Sequence, residues 1–200
     1  MKVYLGAVSG NSYKVRILLA LLKAPHEVVI IDMPNKQHKS AEFMKINPRG
    51  EVPALEDGGK VIWDSAACLV YIARKFGAEH ASEQWLPTDA AGLAEVTQWL
   101  ALSATELQCG LQYARRGVVM GRWTLGTLED GQKFGRVALD VCEAHLQKND
   151  WLALNRPTIA EPACFPYIET APEAKVALED YPAIVKWMER CKKLPGWPAR

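Results

Sequence analysis

Two serines and an asparagine flank a glycine near the start of the chain, in the order Ser9, Gly10, Asn11 and Ser12. A strongly apolar segment follows them directly. Hydroxyl and amide groups at such a place commonly cap a helix, because they bond to the free backbone N–H groups of its first turn. The same groups can donate hydrogen bonds to an anion held at the helix N-terminus. The tetrapeptide therefore predicts the start of a helix. Its polar groups either only cap this helix or also bind an anion.

Strands and helices alternate around this tetrapeptide. Apolar residues at the spacing i, i+3, i+4 and i+7 predict a helix that is buried on one side and contains Val15, Leu18, Leu19 and Leu22. The turn signal Asp57-Gly58-Gly59 predicts an antiparallel hairpin. The predicted order is a strand over 2–6, the apolar helix, a strand over 27–31, a less regular segment over 33–48, strands over 52–56 and 60–63, and a helix from Asp64 to Gly77.

The composition changes after Gly77, and no strand signal of comparable strength appears beyond it. Periodic apolar residues predict helices from Asp89 to about Arg116, over 134–147 and over 181–192. Thr158 and Glu161 have the spacing of a capping box, for which we expect a structural role. The sequence thus predicts an α/β domain at 1–77, a linker at 78–88 and an all-α helical domain at 89–200.

The overall composition limits the possible partners and location. The 200 residues include 49% hydrophobic ones, and 24 basic against 23 acidic residues give a net charge of +1. Since the chain has no run of basic residues, we expect no nucleic-acid partner. The start MKVYLG lacks the features of a signal peptide, and no stretch approaches about 18 apolar residues. We expect a cytoplasmic protein without a membrane partner and, since the five cysteines are scattered, without a metal site.

Four segments in this order resemble the cytosolic glutathione transferase family over essentially the whole chain: SGNSYKVR, QHKSAEFMKINPRGEVPALEDGG, WDSAACLVYIARKFG and TIAEPACFPY. The resemblance implies a thioredoxin-like N-terminal domain of βαβ-ββα order that holds glutathione. It also implies that the helical domain supplies most of the pocket for a second, apolar substrate, and that the protein is a homodimer. Glutathione would be a co-substrate, with no further cofactor.

The resemblance gives the tetrapeptide a chemical task. A free thiol has a pKa of about 8.5, and lowering it by about two units needs roughly 2.7 kcal/mol of thiolate stabilisation. A hydrogen bond to the anion contributes about 1.5–3 kcal/mol and a helix N-terminus about 0.3–1 kcal/mol. Ser9 occupies the donor position of serine-type branches such as the phi class, and Asn11 that of asparagine-using relatives. We expect Ser9 to be the principal donor, Asn11 the next and Ser12 the third.

Two further pairs match the glutathione site of the family. Val52-Pro53 resembles its cis-proline turn, where the residue before proline pairs with the cysteinyl backbone of the ligand. Asp64-Ser65 resembles its acidic residue and serine at a helix start. There the hydroxyl and the amides bind the γ-glutamyl carboxylate, while the acid faces the ammonium group.

Basic residues and one departure complete the predicted glutathione site. His38 and Lys39 match the family's basic pair near the glycyl carboxylate, although alone they would be ordinary surface residues. Glu51 stands where the family most often has glutamine, and it brings a carboxylate towards an anionic ligand. Arg49 or Lys39 could neutralise it. We therefore expect weakened rather than abolished glutathione binding.

The sequence gives less information about the binding site of the second substrate. Candidates for its pocket lie in or after the first helix of the helical domain, namely Leu107, Leu111, Tyr113, Arg116 and Trp123. The predicted function is transfer of the glutathione thiolate to an electrophilic apolar molecule, a detoxification reaction. Two alternatives stay open, a glutathione-dependent peroxidase or reductase and a non-catalytic interaction module. Serine rather than cysteine at position 9 disfavours thiol–disulfide exchange.

Overall fold

The computed structural model describes residues 1–77, 85–123 and 126–200. Its N-terminal part contains a four-stranded mixed sheet in the order β2-β1-β3-β4. The strands are β1 (Lys2–Leu5), β2 (Glu27–Ile30), β3 (Ala54–Asp57) and β4 (Lys60–Trp63). β1 pairs parallel with β2 and antiparallel with β3, and β4 forms the predicted hairpin with β3. The predicted thioredoxin-like arrangement is confirmed.

Helices cover both faces of this sheet. They are α1 (Gly10–Leu21), α2 (Ala41–Ile46) and α3 (Ser65–Phe76), with a 3₁₀ turn at Gln37–Lys39. Val3 and Leu5 of β1 share a core with α1 and α3, whereas Tyr4 points to the other face and packs on Phe43 of α2. The segment 33–48 was expected to be irregular. A helix of six residues is too short to show apolar periodicity, and its start is marked by Ser40, whose hydroxyl accepts from the N–H of Phe43.

The helical part begins with one long run. α4 (Ala90–Leu102) continues through a π-helical segment, Ser103–Gln112, into α5 (Tyr113–Met120). The predicted helix is therefore present, but it extends four residues past Arg116. It is followed by α6 (Leu128–Leu146), α7 (Ala160–Glu169) and α8 (Pro182–Lys192). The predicted linker at 78–88 lies mostly outside the described residues, while Trp85 and Leu86 are buried.

α6 begins at Leu128, six residues before the predicted start. Thr127 and Asp130 form a complete capping box there, so polar residues rather than apolar periodicity mark the beginning of this helix. α6 and the π-helical segment approach closely at two glycines. A Cβ on Gly110 would lie 2.3 Å from the backbone nitrogen of Gly135. Only glycine therefore fits this crossing.

α7 joins the two parts of the molecule, because it packs against α1 as well as α4. Its start is held by Glu161, which is fully buried. The Glu161 carboxylate accepts from the backbone N–H of Thr158 at 2.7 Å and of Leu152 at 2.9 Å, and from the Thr158 hydroxyl at 3.1 Å. Burial raises the pKa of Glu161 to about 7. These contacts are internal to the fold, which agrees with a structural role for this pair.

No helix within the described ranges is both long and apolar enough to span a membrane.

Candidate active site

The Ser9 hydroxyl stands at the N-terminus of α1. Its Oγ accepts the backbone N–H of Ser12 at 3.2 Å, and Ser9 itself has extended backbone angles, as an N-cap residue should. In the described part of the chain no other group bonds to this oxygen. A hydroxyl that accepts one hydrogen bond still has its own hydrogen to donate. The half-buried Ser9 can therefore cap the helix and donate to an anion at the same time.

Ser12 plays a different part from Ser9. Its side chain is fully buried, and its Oγ accepts the backbone N–H of Gly6 at 3.0 Å. This bond fastens the loop after β1 to the first turn of α1. The Ser12 hydroxyl therefore shapes the loop and is not exposed to a ligand.

Asn11 is the centre of a polar network between the two parts of the molecule. Its Oδ1 accepts the Ser65 hydroxyl at 3.0 Å and the Tyr167 hydroxyl at 2.7 Å. Its Nδ2 lies 3.4 Å from Oε1 of Gln108. Sequence reasoning missed Gln108 and Tyr167. They lie 97 and 156 residues from Asn11, so no local pattern could have linked them.

Lys14 was also missed, although it follows Asn11 by one helical turn. It is 2% exposed, and its Nζ donates to the Ser103 hydroxyl at 2.8 Å and lies 4.1 Å from the centre of the Tyr167 ring. Burial lowers the pKa of Lys14 to about 8. A lysine on the apolar face of α1 was the available signal, because such a position is normally filled by an apolar residue.

The cis-proline turn lies beside the start of α1. The Val52–Pro53 peptide bond is cis. A Cβ on Gly6 would lie 3.0 Å from Cγ2 of Val52 and 3.3 Å from Cβ of Ser9, which brings Val52 and Ser9 to the same loop. Among the described residues, neither the N–H nor the C=O of Val52 has a hydrogen-bond partner. Both groups therefore lack an internal partner, as pairing with an extended peptide ligand would require.

The start of α3 completes this side of the site. Asp64 has a φ of 79° and caps α3 by accepting the N–H of Ala66 at 2.8 Å. A non-glycine residue with such a φ is uncommon and frequently marks a functional site. Ser65 is buried and donates its hydroxyl to Asn11, so the starts of α1 and α3 are in direct contact.

Arg49 lies between the two acidic residues of the site. Its guanidinium is 3.1 Å from Glu51 and 3.4 Å from Asp64. Of the two cations considered for neutralising Glu51, Arg49 is the one that contacts it, whereas Lys39 donates to the carbonyl of Arg49 at 3.0 Å. The three charged groups are partly exposed, so water and salt weaken their interaction.

His38 lies in the 3₁₀ turn Gln37–Lys39. The His38 Nδ1 is buried and has no hydrogen-bond partner in the described ranges. Burial lowers the pKa of His38, and the charges of Lys39 and Arg122 lower it further.

Three of the five predicted pocket residues lie in the interior instead. Leu107 and Leu111 are fully buried, and Leu111 packs on Gly135 of α6. Tyr113 is 3% exposed and donates its hydroxyl to the carbonyl of Gly126 at 3.3 Å. The helical spacing that suggested these positions marks the core-facing stripe of the helix. Since these side chains have no open surface, they can support a pocket only from behind.

Arg116 and Trp123 differ from those three because both reach the surface. Arg116 is half-buried. Trp123 is 46% exposed and its ring lies over Gly117. Val119 and Met120 are exposed apolar neighbours at the end of α5. An exposed apolar surface is thus present at the end of α5.

The Arg49 contacts lead to a prediction on glutathione affinity. Glu51→Gln should raise the affinity about 2- to 5-fold, because one partly screened carboxylate is removed. Arg49→Ala should lower it about 3- to 10-fold, since Glu51 and Asp64 then face the anionic ligand without a counter-ion. Calorimetric titration with glutathione at low salt measures both. In the double variant the loss should be smaller than in Arg49→Ala alone. If Arg49→Ala lowers the glutathione affinity equally in the wild-type and Glu51→Gln backgrounds, or if Glu51→Gln alone does not raise it, this account is contradicted.

The fold and the site together define a class of protein. A thioredoxin-like domain carries hydrogen-bond donors at the start of α1 beside a cis-proline turn, and a helical domain packs against it. The glutathione S-transferase N-terminal domain model matches residues 8–75, and the C-terminal domain model of the same family matches residues 129–195.

Full-length relatives agree with these matches. Glutathione S-transferase 1 of Manduca sexta is 30% identical, over 97% of this chain and 88% of that protein. The solved glutathione S-transferase of Xanthobacter autotrophicus Py2 is 31% identical with a TM-score of 0.86, covering 98% of this chain and 94% of that one. The one from Pseudomonas fluorescens Pf-5 is 29% identical with a TM-score of 0.88, covering 99% and 97%. The chain belongs to the glutathione S-transferase family and is a transferase that uses glutathione.

Proposed function

We propose that this enzyme stabilises the glutathione thiolate and conjugates it to an apolar electrophile. The observation that carries the proposal is the capping hydroxyl of Ser9, whose hydrogen is left for an anion beside Val52. In the reaction the thiolate sulfur attacks an electrophilic carbon, a C–S bond forms, and the leaving group departs with the electron pair. Positioning and anion stabilisation carry such a reaction, so no acid–base residue is required.

The tripeptide would lie across the starts of α1 and α3. The open backbone groups of Val52, before Pro53, pair with its cysteinyl residue. The first amides of α3, including the backbone N–H of Ser65, bind the γ-glutamyl carboxylate, and Asp64 faces the ammonium group. The Ser65 hydroxyl, expected from the sequence to share this task, is donated to Asn11 instead. The remaining contacts come from His38 and Lys39, which lie near the glycyl carboxylate. The unpartnered Nδ1 of His38 supports this last assignment.

The electrophile would lie against the end of α5. Trp123 offers an exposed aromatic face, and Val119 and Met120 extend the apolar surface. Arg116 supplies a charge at the border of this surface. The proposed pocket is therefore lined by fewer residues than expected from the sequence, because Leu107, Leu111 and Tyr113 only support it from the interior.

Further parts of the proposal concern the whole protein. We assign the glutathione domain to 1–77, the linker to 78–88 and the electrophile domain to 89–200. The enzyme would act as a cytoplasmic homodimer in detoxification, with glutathione as co-substrate and no other cofactor. Exposed apolar residues on α3 and α4, such as Val70 and Leu93, support an interface between copies.

Three measurements on the purified protein test this function. A conjugation assay with a chloronitroaromatic, a hydroperoxide reduction assay and calorimetric glutathione binding are expected to show conjugation and binding. Peroxide reduction without conjugation would replace the proposed reaction by a peroxidase function. Binding without turnover, or no binding, would indicate an interaction module. A crystal structure with glutathione should place the sulfur within about 3.3 Å of Ser9 Oγ.

A further inference from the structure

We propose that Tyr167, on α7 of the helical domain, is a positioning residue that holds the Asn11 amide with its Nδ2 free to donate to the glutathione sulfur. This inference rests on the proposed function and adds to it a residue from the other domain. Ser9 remains the principal donor, and the oriented Asn11 amide is the second.

The contacts of Asn11 define one orientation of its amide. An asparagine side chain has nearly the same shape after a half-turn, so its hydrogen-bond partners decide where oxygen and nitrogen lie. The Tyr167 hydroxyl at 2.7 Å and the Ser65 hydroxyl at 3.0 Å both donate to Oδ1. Because a hydroxyl can also accept a hydrogen bond, the contact with Gln108 selects this orientation of the amide. After a half-turn, Oδ1 would instead face Oε1 of Gln108, which is 3.4 Å from the present nitrogen. Two acceptor oxygens would then oppose each other.

This orientation leaves one donor for a ligand. The Nδ2 group carries two hydrogens, and one of them is directed to Gln108. Within the ranges that the structure describes, the second hydrogen has no acceptor. Asn11 is half-buried at the first turn of α1, two residues after Ser9. We assign this second hydrogen to the thiolate that Ser9 holds at the same helix start.

Tyr167 is itself held rigidly enough to orient a neighbour. It is 1% exposed, and Lys14 Nζ lies over one face of its ring at 4.1 Å. Its ring also packs on the start of α1, because a Cβ on Gly10 would lie 2.7 Å from its Cε1. Burial raises the pKa of Tyr167, so its hydroxyl keeps its proton and stays a donor.

The test variant is Tyr167→Phe, which keeps the ring and removes the donor. We expect the pKa of enzyme-bound glutathione, measured from thiolate absorbance against pH, to rise by about 0.5–1. The conjugation kcat near pH 6.5 should fall about 3- to 10-fold, while glutathione affinity stays within about 2-fold. The matched control is Tyr13→Phe on α1, which removes a buried hydroxyl that donates to the carbonyl of Pro198 at 2.9 Å. The control should leave the thiol pKa unchanged.

Two further variants distinguish a loss of the Asn11 amide orientation from a general loosening of the contact between the two domains. In an Asn11→Ala background, Tyr167→Phe should not change the thiol pKa further, because it acts only through Asn11. Gln108→Ala, which leaves the buried tyrosine intact, should raise the thiol pKa in the same direction as Tyr167→Phe. If Tyr167→Phe does not fold, this variant carries the test.

The outcomes distinguish this inference from the function on which it rests. A wild-type enzyme that lowers the thiol pKa, combined with no change in either Tyr167→Phe or Gln108→Ala, would overturn the inference alone. So would a full effect of Tyr167→Phe in the Asn11→Ala background. A wild-type enzyme that neither binds glutathione nor lowers its thiol pKa would overturn the proposed function and this inference with it.

Discussion

Ser9→Ala is expected to lower kcat/KM for conjugation about 10- to 100-fold near pH 7, because a hydrogen bond to an anion contributes about 1.5–3 kcal/mol. The hydroxyl acts on the ionised sulfur, so the affinity for glutathione should change little. The pKa of the bound thiol should rise by about 1–2, for the same reason. Steady-state kinetics and thiolate titration of the bound glutathione measure both effects.

The control for this prediction has to account for the helix cap, since Ser9→Ala also removes the bond from the Ser12 N–H, at a cost of about 1 kcal/mol. Ser40→Ala is the matched variant. Ser40 caps α2 through the N–H of Phe43 at 3.2 Å, the same distance as in the Ser9 cap. The Ser40→Ala variant should lose about as much stability as Ser9→Ala and should keep the wild-type turnover. An unchanged rate in Ser9→Ala would transfer the principal role to Asn11.

Lys14→Met is expected to stabilise the protein. The protonated amine is buried against Tyr167 and Ser103, and in the described ranges it forms no ion pair. A pKa lowered from 10.5 to about 8 corresponds to an unfavourable contribution of about 3 kcal/mol when Lys14 is charged. The contact with the Tyr167 ring offsets about 2 kcal/mol of this. We therefore expect the free energy of unfolding to rise by about 1–3 kcal/mol near pH 7.

The pH dependence has a definite sign. Between the folded pKa of about 8 and the unfolded value of 10.5, the unfolded chain binds more protons at Lys14 than the folded one. The wild-type stability contributed by this group must therefore increase with pH in that window. The advantage of Lys14→Met should be largest below pH 8 and decrease towards pH 10.5. Chemical denaturation at several pH values measures it, with the exposed Lys45→Met as control. A constant advantage across this range would show that charge burial is not the cause.

Short-range patterns carried most of the information that could be interpreted from the chain. Thr158 and Glu161 predicted a structural capping pair, and their mutual contacts are present although both are buried. The hairpin around Asp57-Gly58-Gly59 was equally local. α2 was missed, because six residues do not complete two helical turns and leave no periodic signal.

The apolar periodicity of a helix gave less information about which part of the molecule covers its apolar face. Leu111 was expected in a pocket wall, and the spacing that marked it is the spacing of core residues in general. In the structure, α6 covers this face of the helix, because the backbone of α6 at Gly135 lies directly against Leu111. Periodicity reports that a residue is buried, but it contains no information on what covers it.

The sequence by itself determined the mixed α/β and helical order, the polar start of α1 and the family resemblance, because each depends on residues close together or on the order of motifs. The tertiary structure decided which charges meet and which side chains surround Asn11. Arg49 joins Glu51 to Asp64, and Tyr167 reaches Asn11 from 156 residues away. The Tyr167–Asn11 contact depends on how α7 packs against α1, and packing between distant segments leaves no periodic trace in the chain.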